Sequence, residues 1–394
     1  MRKSPGSEAL RQVLLPLGRM AAFVVAAGAL FSAIMLLLTF LCRGSGADKL
    51  LVEVQGISIV VYTLQNLPQV LIDGVTLGFV YAAIALGYTM VYGVLEFINF
   101  AHSEIFALGA FAGVEFLIAM DGVGALKAAG PYGSYLYLVL ALAVSMAASG
   151  GVAMLVERTA YRPLRDSPRL VPLISAIGVS FLLQDLIRLV ESLTTGQFYR
   201  VFPTFGNLDD RLPLFSMRSM GSDPEPVVVD IQVKSIVVIG AAVLMLVLLN
   251  YIVNATRVGK AIRSVAQDRN TAAIMGIGVN AIISFTFLLG GALGGAAGLL
   301  YAMKFTRIDP FVGFMPGIKA FTAAVLGGIG NLTGALLGGI VLGMLESFAG
   351  AYLGTFTMGN FGSEYKDIIA FAVLIIVIIF RPSGLLGEQV SQKA

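Results

Sequence analysis

The stretch LEFINFAHSEIF, residues 95–106, sets Glu96, Asn99, His102, Ser103 and Glu104 close together between two strongly apolar runs. Carboxylate, imidazole, amide and hydroxyl groups at such spacing can bind a metal, relay protons or brace a turn. His102 is the only histidine and Cys42 the only cysteine. That excludes an internal disulfide and cysteine-based metal clusters, and removes most metal sites and hydrolytic triads. No GxxxxGK[ST] phosphate loop occurs: Gly259-Lys260 is followed by alanine and lacks the upstream glycine, so if ATP drives this protein another subunit hydrolyses it. The remaining chemistry is architectural. Ser103 is expected to cap the helix that follows, with Glu104 at its positive N-terminus. Neutral His102, donating one hydrogen bond and accepting another, bridges the turn to a neighbouring helix. Asn99, His102 and Glu104 are expected to cluster there.

The elements holding this stretch are set by composition. The chain is 57% hydrophobic and 12% charged, whereas soluble domains carry roughly 25% charged residues. Its solvent is mostly lipid. Apolar runs near the roughly 20 residues that cross a bilayer fall at 20–41, 74–95, 104–120, 134–156, 170–190, 235–254, 280–302 and 364–380. The run at 20–41 exceeds a signal-peptide core of roughly 7–15 residues and has no cleavage site, so it is a retained span. Residues 317–353 are broken by GGIGN at 327–331, which fits two crossings or a re-entrant hairpin. The expected fold is therefore an all-α polytopic bundle of about ten spans or re-entrant segments.

Basic residues orient it. ERTAYRPLRDSPR (157–169), TRVGKAIRSVAQDR (256–269), Arg2, Lys3, Arg11 and Arg19 near the N-terminus, and Arg381 and Lys393 near the C-terminus predict cytoplasmic loops and two cytoplasmic termini. The polar segment 191–234 then faces out, with EPVVVDIQV as a short strand. Gly290, Gly294 and Gly298, and Gly330, Gly334 and Gly338, recur every four residues and predict close helix packing. Glu115, Lys319 and Glu346 are further intramembrane ionisable groups, and such residues mark functional sites by default; Glu115 and Lys319 sit near span ends, where snorkelling is an alternative.

Residues 74–111, GVTLGFVYAAIALGYTMVYGVLEFINFAHSEIFALGAF, resemble the opening of LivH-type permeases of branched-chain amino acid ABC transporters. ERTAYRPLR (157–165), LISAIGVSFLLQD (173–185), GKAIRSVAQDRNTAAIMGI (259–277) and GIKAFTAAVLGGIGNLTGALLGG (317–339) follow in the family's order, and SEYKDIIAF and RPSGLLG close the chain. The resemblance covers about residues 66–387, leaving 1–65 as an N-terminal extension with an additional span and 388–394 as a tail. Ser103 replaces a usual glycine. Asp185 stands where asparagine is common, and Arg188 could pair with it along the helix.

The resemblance implies a permease subunit of an ATP-driven importer in a bacterial cytoplasmic (inner) membrane, not an enzyme. Its implied partners are two cytoplasmic ABC ATPases, a second permease subunit, an extracellular or periplasmic substrate-binding protein and lipid, with no nucleic acid, metal or bound cofactor; ATP is held by the partner subunits. SVAQDRNTAAIMGI would be the coupling helix, with Ala272, Ala273 and Gly276 permitting close docking and Arg263, Gln267, Asp268 and Arg269 supplying polar contacts. Arg263, Asp268 and Arg269 are expected to serve coupling rather than folding. Asn99, His102, Glu104, Asp185, Lys319 and Glu346 are candidates for the pathway or its gate. Related permeases for amides, urea or aromatic acids are the alternative cargo class, and an ion-coupled carrier using Asp185 is the rival mechanism. A membrane-embedded enzyme lacks paired catalytic acids or a nucleophile with its base.

Overall fold

The computed structural model describes residues 59–95, 98–165, 167–168, 170–217, 226–356, 362–381 and 383–386. The expected span at 20–41 and Glu96 lie outside the described residues.

Helix α1 runs from Ile59 to Leu95, well before the apolar run at 74. Gln65, Asn66, Gln69 and Asp73 hide its first half in a hydropathy reading. The helix absorbs part of this polarity: the Asn66 amide donates to the Tyr62 carbonyl at 2.9 Å and Thr76 to the Ile72 carbonyl at 2.8 Å. Next come α2 (His102–Gly122), the short α3 (Ala125–Ala128) and α4 (Gly130–Val156). A π-helical turn at Glu157–Tyr161 and a 3-10 turn at Arg162–Leu164 carry α4 onward. Helix α5 (Leu170–Thr194) leads to strands β1 (Arg200–Val201), β2 (Arg211–Met217) and β3 (Val227–Gln232). Helices α6 (Val233–Ala255), α7 (Arg257–Gln267), α8 (Arg269–Ile274) and α9 (Val279–Phe305) follow. The chain continues through β4 (Arg307–Ile308), α10 (Phe314–Gly327), α11 (Leu332–Phe356) and α12 (Lys366–Phe380).

Among the described residues, seven helices are long and apolar enough to cross a membrane; this is a multi-pass membrane protein. The broken run at 317–353 forms a short helix and a long one. Helix α10 has 14 residues, or ~21 Å at 1.5 Å per residue, less than the ~30 Å hydrocarbon core. Gly328 and Gly330, with φ of 107° and 91°, make the turn into α11, because left-handed backbone there suits a residue without Cβ. The expected strand is found: β3 pairs antiparallel with β2, and β1 pairs with β4.

The described chain divides into two compact units. One contains the residues up to Gly78, Asp210–Val233 and Ile340–Ile376; the other contains Phe79–Asp209, Lys234–Gly339 and the residues from Val377. In the second, α2, α4 and α9 pack on one another. A Cβ on Gly109 would collide with the Gly295 backbone and one on Gly298 with the Phe106 carbonyl. The periodic glycines thus let helix backbones touch, and the Ser149 hydroxyl of α4 adds a 2.8 Å bond to the Ile105 carbonyl of α2.

Candidate functional site

The turn before α2 is itself helical. Ala101 has φ −66° and ψ −11°, and backbone bonds from His102 to Asn99 and from Ser103 to Phe100 close it. The Ile105 amide, a donor that a Ser103 cap would satisfy, is already bonded to the Ala101 carbonyl at 3.0 Å. Ser103 therefore does not cap α2; its hydroxyl turns back to the Phe100 carbonyl at 2.7 Å.

Asn99, His102 and Glu104 are 3%, 1% and 1% exposed, but they point at three different neighbours rather than clustering. The Asn99 carbonyl oxygen accepts from the Tyr161 hydroxyl at 2.7 Å, fastening the turn to the π-helical turn. His102 packs edge-on against Tyr88 of α1, centroid to centroid 4.5 Å. A Cβ on Gly87 would collide with the imidazole, and one on Gly294 would lie 3.1 Å from it. Its nitrogens make no hydrogen bond of ordinary geometry among the described residues. The expected bridge from turn to neighbouring helix is thus made by packing between α1 and α9. Glu104 faces the start of α10, where a Cβ on Gly313 would lie 2.6 Å from its Oε2. On the same helix Lys319, 6% exposed, holds its Nζ 5.7 Å from the centre of the Tyr81 ring.

Two candidates stand elsewhere. Asp185 is exposed on α5, and the expected intrahelical pair is not formed because Arg188 lies over the Phe198 ring at 5.7 Å. Glu346 belongs to the other unit, where Lys366 binds its carboxylate at 2.9 Å.

Two ionic groups escape sequence reasoning. Glu157, fully buried, is bound by Arg162 at 3.0 Å and by Arg165, and accepts from the Ser284 hydroxyl at 2.5 Å. Arg165 also donates to Asn280 at 2.6 Å, tying the end of α4 to α9. The alternation of charge in ERTAYRPLR is the signal that could have revealed it. In the second group, Arg200 of β1 clamps Glu115 of α2 and Glu191 of α5, the latter at 2.8 Å, so Glu115 is paired within the protein rather than snorkelling. No local signal joins residues so far apart. Among the described residues, no three His, Cys, Asp or Glu side chains converge as a metal site requires.

The segment expected to be one coupling helix is two, α7 and α8, broken at the extended Asp268. Asp268 caps α8 through 2.9 and 3.2 Å bonds from the Asn270 and Thr271 amides. Hydrogen bonds from the Thr271 side chain and backbone hold its carboxyl below the ordinary aspartate pKa. Arg269 donates to the Val94 and Leu95 carbonyls that end α1, at 3.0 and 3.2 Å. Arg263 donates to the Val253 carbonyl in the last turn of α6. Helix ends leave backbone groups unpaired, and these three side chains satisfy them, a structural role beside the coupling role expected of them. Gln267, Asp268, Ala273 and Gly276 are exposed, whereas Ala272 is buried at 3% and turns inward. At the end of α8, Ile274 and Met275 are 85% and 77% exposed. An apolar pair in a basic loop was the available sign.

A bundle of apolar helices with buried ionic struts and a short capped helix at one loop defines a polytopic membrane protein. Its sequence specifies the family. Residues 70–378 match the family described as branched-chain amino acid transport system / permease component, and the chain belongs to that family. It is 40% identical over 328 residues to the high-affinity branched-chain amino acid transport system permease protein BraD of Pseudomonas aeruginosa, covering 82% of this chain and 97% of that protein. It is 38% identical over 326 residues to LivH of Escherichia coli, with the same two coverages. The ribose import permease RbsC of Haemophilus influenzae is 28% identical over 141 residues, 34% of this chain and 41% of that protein. No solved structure matches.

Proposed function

We propose that this chain is the permease subunit of an ATP-driven importer of branched-chain or related amino acids in a bacterial inner membrane. It would work with two ATPases, a second permease subunit and an extracytoplasmic binding protein, with both termini cytoplasmic and residues 1–65 as an added N-terminal extension. The likeness to BraD and LivH across nearly their whole length supports the cargo class.

The observation that carries the coupling role is α8. Its tip presents Ile274 and Met275 to solvent, while Arg269 at its start is bonded to the end of α1. An ATPase pulling on the tip would therefore move a spanning helix. Exposed Asp185, without an ion pair among the described residues, offers no built cation site for an ion-coupled carrier. The test is uptake of labelled leucine by cells expressing the whole transporter, with ATPase pull-down from membranes. Replacing Ile274 and Met275 by serine should abolish both; uptake at the wild-type level would refute the coupling role.

A further inference from the structure

A cleft of about 290 Å³ opens beside the junction of α7 and α8. Val94 and Leu95 contribute apolar lining, and Arg165, Ser167, Asp268 and Arg269 contribute polar lining. Two guanidiniums line it, those of Arg165 and Arg269, with the carboxylate of Asp268, and Arg165 shares the Glu157 carboxylate with Arg162, so the connected group holds three guanidiniums against two carboxylates. One positive charge is left over.

Neither carboxylate is available to cancel it. Glu157 is occupied by two arginines and Ser284, and Asp268 by the first amides of α8. Arg165 Nε is buried and makes no hydrogen bond among the described residues. Burial lowers the Arg165 pKa from its ordinary value; Glu157 opposes that shift, and the charges of Arg162 and Arg269 add to it. A part-buried donor with surplus positive charge favours an anion, and a charge-assisted bond to one carboxylate satisfies both.

We propose that this cleft receives an aspartate or glutamate side chain of the ATPase subunit that docks on α8, beside the apolar contact of Ile274 and Met275. The inference rests on the coupling role given above. It predicts that binding of permease to ATPase has an electrostatic component read at Arg165 and Arg269, neither of which stands on the exposed tip.

The test fills the cleft after folding. On a Cys42→Ser background, purified Ser167→Cys permease is labelled with an anionic sulfonatoethyl or a neutral hydroxyethyl methanethiosulfonate, which are similar in size. Affinity for the ATPase is then measured from low to high salt. The anionic adduct should bind about tenfold more weakly than the neutral one, with a flatter salt dependence. Equal affinities overturn the inference. So does an anionic adduct that sheds co-purified phosphatidylglycerol while keeping its ATPase affinity, because the cleft would then hold a lipid phosphate. The Ile274→Ser, Met275→Ser double variant separates the two ideas. If it binds the ATPase normally, the coupling role fails; if it loses binding while the two adducts bind alike, only the cleft assignment fails.

Discussion

The loops at 157–169 and 256–269 each carry four basic residues, yet their charges end in opposite surroundings. In the first, the chain continues α4 through a π-helical turn that brings Glu157 and Tyr161 inward, and Arg162 and Arg165 follow the buried carboxylate. In the second, Arg263, Asp268 and Arg269 are spent on the ends of α6, α8 and α1. That leaves the apolar tip outward. A basic loop is thus an ionic strut where a carboxylate is buried within reach, and a capped, protruding helix where only backbone ends are.

The sharpest way to break this contrast is Glu157→Ala. It strands two arginines around a buried site, and removing one partner of a buried ion pair costs about 3–5 kcal/mol. A thermal melt of the purified protein in detergent should show the largest loss of any single change in either loop; a melt like wild type would mean that the strut is decorative. Arg269→Gln should cost less, about 1.5–3 kcal/mol for hydrogen bonds from a charged group, and should loosen the end of α1, read as faster amide exchange around Val94 and Leu95.

Asp268→Ala should destabilise by less again, and with a pH signature. Because the folded carboxyl sits below its ordinary value, its contribution is full above about pH 3.9 and fades as pH falls toward the lower folded value. The gap between the melting temperatures of wild type and variant should therefore narrow in acid; a gap that widens would contradict the capping role. Ile274→Ser with Met275→Ser should change stability least, within about 0.5 kcal/mol, while removing ATPase association. That pairing of a silent melt with lost binding is what an exposed docking tip predicts and a strut does not.

The expected spans from 104–120 through 280–302 correspond to helices because lipid demands long apolar runs with internally satisfied backbones. The start of α1 was hidden because Gln65, Asn66, Gln69 and Asp73 are polar, although a helix bonds its backbone whatever its side chains. Asn99, His102 and Glu104 stand out in the sequence as polar groups at one turn, expected to brace it. Their directions do not: Asn99 reaches Tyr161, His102 lies between α1 and α9, and Glu104 meets α10.

By itself, then, the sequence determined the lipid-spanning class, most helices, the glycine-lined packing and the family, since each of these is written in composition, local periodicity or ordered motifs. The tertiary structure alone decided which charge meets which. Glu157 finds Ser284 127 residues away, Arg269 finds Val94 175 residues away, and Arg200 joins Glu115 to Glu191. An ion pair or a helix cap depends on distances of a few ångströms in space, and hydropathy along the chain carries no record of them.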